Sequence, residues 1–170
     1  MHRVLVSACL LGARVRYHGG DALCVHPTLQ RWQEEGRLVT VCPEVDGGLG
    51  TPRPPAEIVG PDAGRGVIAK LAVVRTAAGV DVTRQFLAGA SRALAEARRH
   101  DVRAAILKDG SPSCGSSFAY DGTFSGVRVP GRGVTAALLE ANGIRVFSES
   151  QIDEADSWLR HAEAEGGAQP

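Results

Sequence analysis

The chain has 170 residues, 44% of them hydrophobic, and sets 19 Lys and Arg against 19 Asp and Glu for a formal charge of zero. That size suits one domain that buries a core without disulfide or metal staples. The neutral balance excludes bulk electrostatic attraction as the means of holding a polynucleotide or an anionic membrane, leaving only local patches. No apolar run approaches the roughly 20 residues that span a bilayer. The N-terminus also lacks the basic region, long apolar stretch and cleavage site of an export signal, so a cytoplasmic protein with free thiols and no membrane partner is expected.

Val4 to Ala8 reads as a buried strand, and Pro27 to Gly36 as a short helix packed through Leu29, Trp32 and Gln33. Leu38 to Val41 is a second buried strand, followed by a Pro- and Gly-rich stretch from Pro43 to Pro55 with no expected regular structure. Val67 to Val74, ahead of Ala78-Gly79, reads as a strand and turn in an antiparallel appendage. Thr83 is placed to cap a helix reaching about Arg99, with Phe86, Leu87, Ala90, Leu94 and Ala97 at helical spacing. Ala104 to Leu107 is a third buried strand and opens a long loop from Lys108 to Gly133. A helix over Val134 to Asn142, stopped by Gly143, then leads to a fourth strand over Ile144 to Phe147, and Ser150 is placed to cap a last helix to about Glu163.

Strands alternating with helices predict an α/β fold: a single three-layer Rossmann-like domain with a mostly parallel sheet and long Gly/Pro-rich loops at the strand carboxyl ends. One domain is expected over 1–165, with a frayed tail over 166–170. In such a sheet the carboxyl ends share one edge. Cys9, Cys42 and Cys114 each stand where a β-type run gives way to a turn, so three thiols distant in sequence are candidates to meet there on one metal. The alternative for each is a small buried hydrophobe. Cys24, between Leu23 and Val25, reads as a packing thiol. No CxxC pair is present, which disfavours a zinc ribbon. Three thiolates with one open coordination position describe a reactive centre, either zinc or an iron-sulfur cluster.

The segments Val6-Ser7-Ala8-Cys9-Leu10-Leu11-Gly12, Cys42-Pro43-Glu44, Gly47-Gly48-Leu49, Pro52-Arg53-Pro54-Pro55-Ala56-Glu57-Ile58, Ser111-Pro112-Ser113-Cys114-Gly115 and Tyr120-Asp121-Gly122-Thr123-Phe124 occur in order. With them, from about Val4 to Glu149, the chain resembles the bacterial family that contains thiouracil desulfurase. The resemblance implies a [4Fe-4S] cluster on three cysteines matching Cys9, Cys42 and Cys114, with one iron open to the sulfur of a small thiolated base. It also implies catalytic assistance from positions matching Glu44 and Ser111. The expected reaction replaces C=S by C=O without redox change and releases hydrosulfide. Glu44 is then a candidate general acid or base, and Ser111 a proton relay or hydrogen-bond donor.

Arg53, stiffened between prolines, is either a cleft residue that binds substrate or an exposed loop charge, and Lys108 and Asp121 share that ambiguity. Where the family commonly has Tyr-Asp-Gly or Tyr-Asn-Gly, this chain has Tyr17-His18-Gly19. Neutral charge and the absence of an aromatic stripe or basic groove favour a free base over a polynucleotide. Two other functions fit three clustered thiols: a zinc-dependent hydrolase with three cysteine ligands, and a non-enzymatic iron-sulfur or metal-binding sensor.

Overall fold

Runs of Val, Ile, Leu and Ala bounded by Gly, Pro or a capping residue set the elements seen in the computed structural model, which describes residues 1–166. The tail expected over 166–170 lies, from 167 onward, outside the described residues. In chain order the elements begin with β1 (Val4–Ser7), a 3-10 turn (Ala8–Leu11), α1 (Pro27–Glu34), β2 (Leu38–Val41), α2 (Pro43–Asp46), β3 (Ala56–Val59), α3 (Ala63–Ile68) and β4 (Val73–Thr76). They continue with α4 (Thr83–Arg99), β5 (Ala104–Leu107), β6 (Phe118–Tyr120), β7 (Arg128–Pro130), α5 (Val134–Ala141), β8 (Arg145–Ser148) and α6 (Ile152–Gly166).

Four of these strands form one all-parallel sheet in the order β2-β1-β5-β8. Its central strands, β1 and β5, are buried on both faces, as covered parallel sheets require. One face, through Leu5, Val39, Val41, Ala105, Leu107 and Val146, packs on Ala93, Leu94 and Ala97 of α4 and Leu139 of α5. The other, through Val4, Val6, Ala104, Ile106 and Phe147, packs on Leu29 and Trp32 of α1 and on Ile152, Ala155 and Leu159 of α6. Each large side chain sealed in this way contributes roughly 1.5–3 kcal/mol. The result is the three-layer, Rossmann-like α/β arrangement expected from the sequence.

The chain leaves β1 toward one sheet edge through α1 and reaches β5 on the other side of β1 only after α4, so the strand order reverses at β1. In open α/β sheets the loops separate at that point and leave a crevice at the strand carboxyl ends. Cys9 follows β1, Cys42 follows β2 and Cys114 follows β5, which sets all three beside the crevice. Cys9 belongs to the apolar cluster on the α1/α6 side and Cys114 to the one on the α4/α5 side, so the two straddle the sheet edge.

Several local expectations need correction. Val67-Ile68 closes a helix, α3, because packing against α5 overrides weak local propensity. The strand begins at Val73 and pairs antiparallel with β3, so the appendage exists with different boundaries. The 43–55 stretch contains α2, whose Pro43 occupies the first helical turn, where a missing N–H costs nothing. The 108–133 loop contains an antiparallel hairpin, β6–β7. Thr83 does not cap α4: its hydroxyl accepts the Val74 N–H of β4 at 2.8 Å, while Asp81 accepts the Thr83 N–H at 2.9 Å. Ser150 does not cap α6 either; its hydroxyl turns to Ser148, 2.7 Å away, and the Ala155 N–H donates to the Gln151 carbonyl.

Candidate active site

A cavity of about 340 Å³ opens at the carboxyl edge of the sheet, within the roughly 300–1,000 Å³ range of small-molecule sites. Cys9, Cys42, Cys114, Glu44, Ser111, Arg53 and Lys108 all line it, so seven of the eight residues singled out in the sequence share one space. The exception is Asp121. Its carboxylate accepts the Thr123 N–H at 2.9 Å and the Thr123 hydroxyl at 2.6 Å, closing an Asx turn, and it does not line the cavity. An Asp two residues before a Thr folds onto its own backbone more readily than it reaches outward.

Each cysteine is placed by its turn. Cys9 lies in the 3-10 turn, and its carbonyl accepts the N–H groups of Gly12 and Ala22. Cys42 precedes α2, with its own N–H donated to Asp46 at 3.1 Å. α2 in turn sits tightly on α4: a Cβ on Gly89 would stand 1.8 Å from the Pro43 carbonyl oxygen, so only glycine allows that approach. The Cys114 turn is docked onto the start of α5, whose Val134, Thr135 and Ala136 N–H groups donate to the carbonyls of Pro112 and Ser113.

Burial pushes the Cys9 thiol up to about 11 against the pull of Arg16, with Cys42 adding to the rise and Lys108 opposing it. Burial likewise raises Cys42, which the Val45 N–H opposes. Cys114 is raised most; burial dominates, the Ser7 hydroxyl opposes, and Glu44, Cys9 and Cys42 all add to the rise. The three thiols therefore lie in one another's field, and all three are free cysteines. A metal that binds them must displace their protons. Among the described residues no three His, Cys, Asp or Glu side chains gather closely enough to hold a single metal ion. Three thiolates that line one cavity are a donor set suited to an iron-sulfur cluster or to zinc.

Glu44 and Ser111 meet. The Ser111 hydroxyl donates to Glu44 Oε2 at 3.3 Å and accepts the N–H groups of Ser113 and Cys114, each at 3.1 Å. Glu44 Oε1 accepts from Arg53 Nε at 3.2 Å. Arg53 is not an exposed loop charge: its side chain is 7% exposed, it lines the cavity, and it also donates to the carbonyls of Gly50 and Val15 and to the Thr51 hydroxyl. Lys108 borders the cavity with its ammonium on Glu149 and the Asp109 carbonyl. His18 is exposed, its Nδ1 accepting the Gly20 N–H, and makes a surface turn. Cys24 packs partly buried against the cluster under α1.

Other cavity residues escaped the sequence reading. Ser7, Arg16, Tyr17, Glu57, Tyr120 and Phe124 line the same space, three of them aromatic, one from the loop after the 3-10 turn and two from the β6–β7 hairpin. Asp109 was also passed over. Its carboxylate accepts N–H groups from Gly110, Ser116 and Ser117 and the Ser117 hydroxyl, and so staples the loop that carries Ser111 and Cys114. Ser7, Tyr17, Glu57, Tyr120 and Phe124 stand in quoted segments of the sequence where they were given no role, and Arg16 and Asp109 stand in none.

Fold and cavity together define a three-layer α/β protein whose cavity is lined by three thiols, two buried and one half-buried, beside a carboxylate and hydroxyl pair. Residues 4–151 match the model of the 2-thiouracil desulfurase family, and the chain belongs to that family. The uncharacterized protein YbbK of Bacillus subtilis (strain 168) is 46% identical over 151 residues, covering 89% of this chain and 98% of that protein. A solved structure of the [4Fe-4S]-dependent thiouracil desulfidase TudS matches with a TM-score of 0.86 at 46% identity, over 94% of this chain and 99% of the other. No helix among the described residues is long and apolar enough to cross a membrane.

Proposed function

We propose that this enzyme desulfurates a small thiolated nucleobase of the 2-thiouracil type by hydrolysis, with a [4Fe-4S] cluster held by Cys9, Cys42 and Cys114. The observation that carries the proposal is the convergence of these three thiols and the Glu44–Ser111 pair on one cavity. When bound, the cluster supplies an iron without a protein ligand, a Lewis acid toward the soft sulfur of a thiocarbonyl.

Glu44 is the general base. Its carboxylate is fixed by Arg53 on one oxygen and by Ser111 on the other, and it takes a proton from the water that adds to the thiocarbonyl carbon. Collapse breaks the C–S bond, and water has then been exchanged for hydrosulfide with no electron gained or lost. Both lone pairs of Ser111 are committed to backbone N–H groups, so Ser111 acts first by orienting Glu44. Arg53 belongs to the same positioning set, and Lys108 sets the charge beside Cys9. The cavity volume and zero net charge support a free base over a polynucleotide, and the free thiols support work in a reducing compartment, the cytoplasm.

The test is anaerobic turnover of 2-thiouracil. Equal amounts of hydrosulfide and uracil, formed without added reductant or oxidant, support the reading. A requirement for a redox partner, or release of no hydrosulfide, contradicts it.

A further inference from the structure

We infer that Glu57 and Phe124 form the wall of the cavity that reads the substrate ring: the Glu57 carboxylate accepts a ring N–H, and the Phe124 side chain lies against the ring face. This rests on the desulfurase reading above and names residues that recognise the base.

Glu57 is 7% exposed and lines the cavity from β3. Its Oε2 accepts the Phe124 N–H at 2.8 Å. Among the described residues it makes no ion pair and no other hydrogen bond; Arg75, opposite it on β4, is exposed and does not pair with it. A nearly buried carboxylate without a cation is costly. One that keeps an unused oxygen toward a binding cavity is matched to a donor that arrives with the ligand. A cyclic thioamide brings such a donor, because its N–H sits next to the thiocarbonyl carbon.

The same contact sets the aromatic wall. Phe124 adopts a left-handed backbone, φ 58°, at the tip of the β6–β7 hairpin, a conformation that a bulky residue holds only under constraint. The Glu57 bond is one constraint and the Asp121–Thr123 turn is another. Gly122 is the third: a Cβ there would stand 2.6 Å from the Ile58 carbonyl oxygen, so the glycine lets the tip rest on β3 beside Glu57. Phe124 thereby faces the cavity with its ring partly exposed, which suits a flat heterocycle.

The experiment compares cluster-loaded wild type, Glu57→Gln and Phe124→Leu on 2-thiouracil and its 1-methyl and 3-methyl derivatives. Gln keeps an oxygen for the Phe124 N–H and turns an amide NH₂ toward the cavity, so the melting temperature and cluster absorption should match wild type while the acceptor is lost. Wild type should reject one N-methyl isomer by about tenfold or more in kcat/KM, and Glu57→Gln should lose that discrimination with a KM for 2-thiouracil raised about tenfold. Phe124→Leu should raise KM for every substrate alike. An active wild type that ignores N-methylation, or a Glu57→Gln enzyme with wild-type KM and discrimination, overturns this inference and leaves the desulfurase reading standing. A wild type that neither binds 2-thiouracil nor releases hydrosulfide from it overturns both.

Discussion

The Ser111 hydroxyl is saturated, accepting two N–H groups and donating to Glu44. That makes the roles of the two residues separable. Glu44→Gln removes the base and should lower kcat by about 10²- to 10⁴-fold. Ser111→Ala leaves the base in place but lets it drift and orphans two N–H groups, so a smaller fall in kcat should come with a stability loss of about 1–3 kcal/mol. Hydrosulfide release per cluster, with thermal melts of both variants, checks the pair. The account of Asp109 is similar in kind. Burial works against its ionisation, yet the Ser117 hydroxyl and the N–H groups of Ser117, Ser116 and Gly110 hold the carboxyl below the usual range. Asp109→Asn should loosen the 110–117 loop, seen as faster amide exchange there. The cysteines stood out in the sequence at strand ends, and Glu44 and Ser111 only through the family resemblance. Glu57 and Phe124 lie in matched motifs yet received no role, and Arg16 lies in none, because what brings them to the cavity is the packing of separate segments and not a local pattern.

At the scale of elements, the site depends on how closely α2 rides on α4. Gly89→Ala would drive a methyl group into the Pro43 carbonyl, pushing Cys42 and Glu44 out of register with Ser111. The expected result is a protein destabilised by about 1–3 kcal/mol whose cluster content and turnover fall together. Normal activity with a normal melting temperature would show that the approach is not needed. The parallel strands and α4 were readable from sequence, since continuous apolar runs and helical spacing fix them locally. The β3–β4 pair and the β6–β7 hairpin were partly or wholly hidden, because short strands set among Pro and Gly are defined by their pairing partners and not by composition.

Across the whole molecule, the two helices on one face of the sheet are tied together by Asp156 of α6, which accepts from Arg31 of α1 and Arg160 of its own helix. Burial opposes ionisation of Asp156, but the two guanidinium hydrogen bonds prevail and hold its carboxyl below the usual range. With the folded-state pKa depressed, the stabilisation is present above the unfolded value of about 3.9 and is lost as pH falls through the folded one. Asp156→Asn should therefore cost about 1 kcal/mol near neutrality, solvent screening keeping the figure small, and the gap from wild type should close in acid melts. That ion pair supports the scaffold far from the cavity, so iron content should be unchanged.

The site itself is tested most directly by the iron and acid-labile sulfide content of protein prepared without oxygen. About four of each per chain are expected, with a broad visible absorption that is lost in Cys9→Ser, Cys42→Ser and Cys114→Ser and kept in Cys24→Ser. A colourless protein carrying zinc, or a cluster that survives loss of any of the three cavity cysteines, would contradict the assignment.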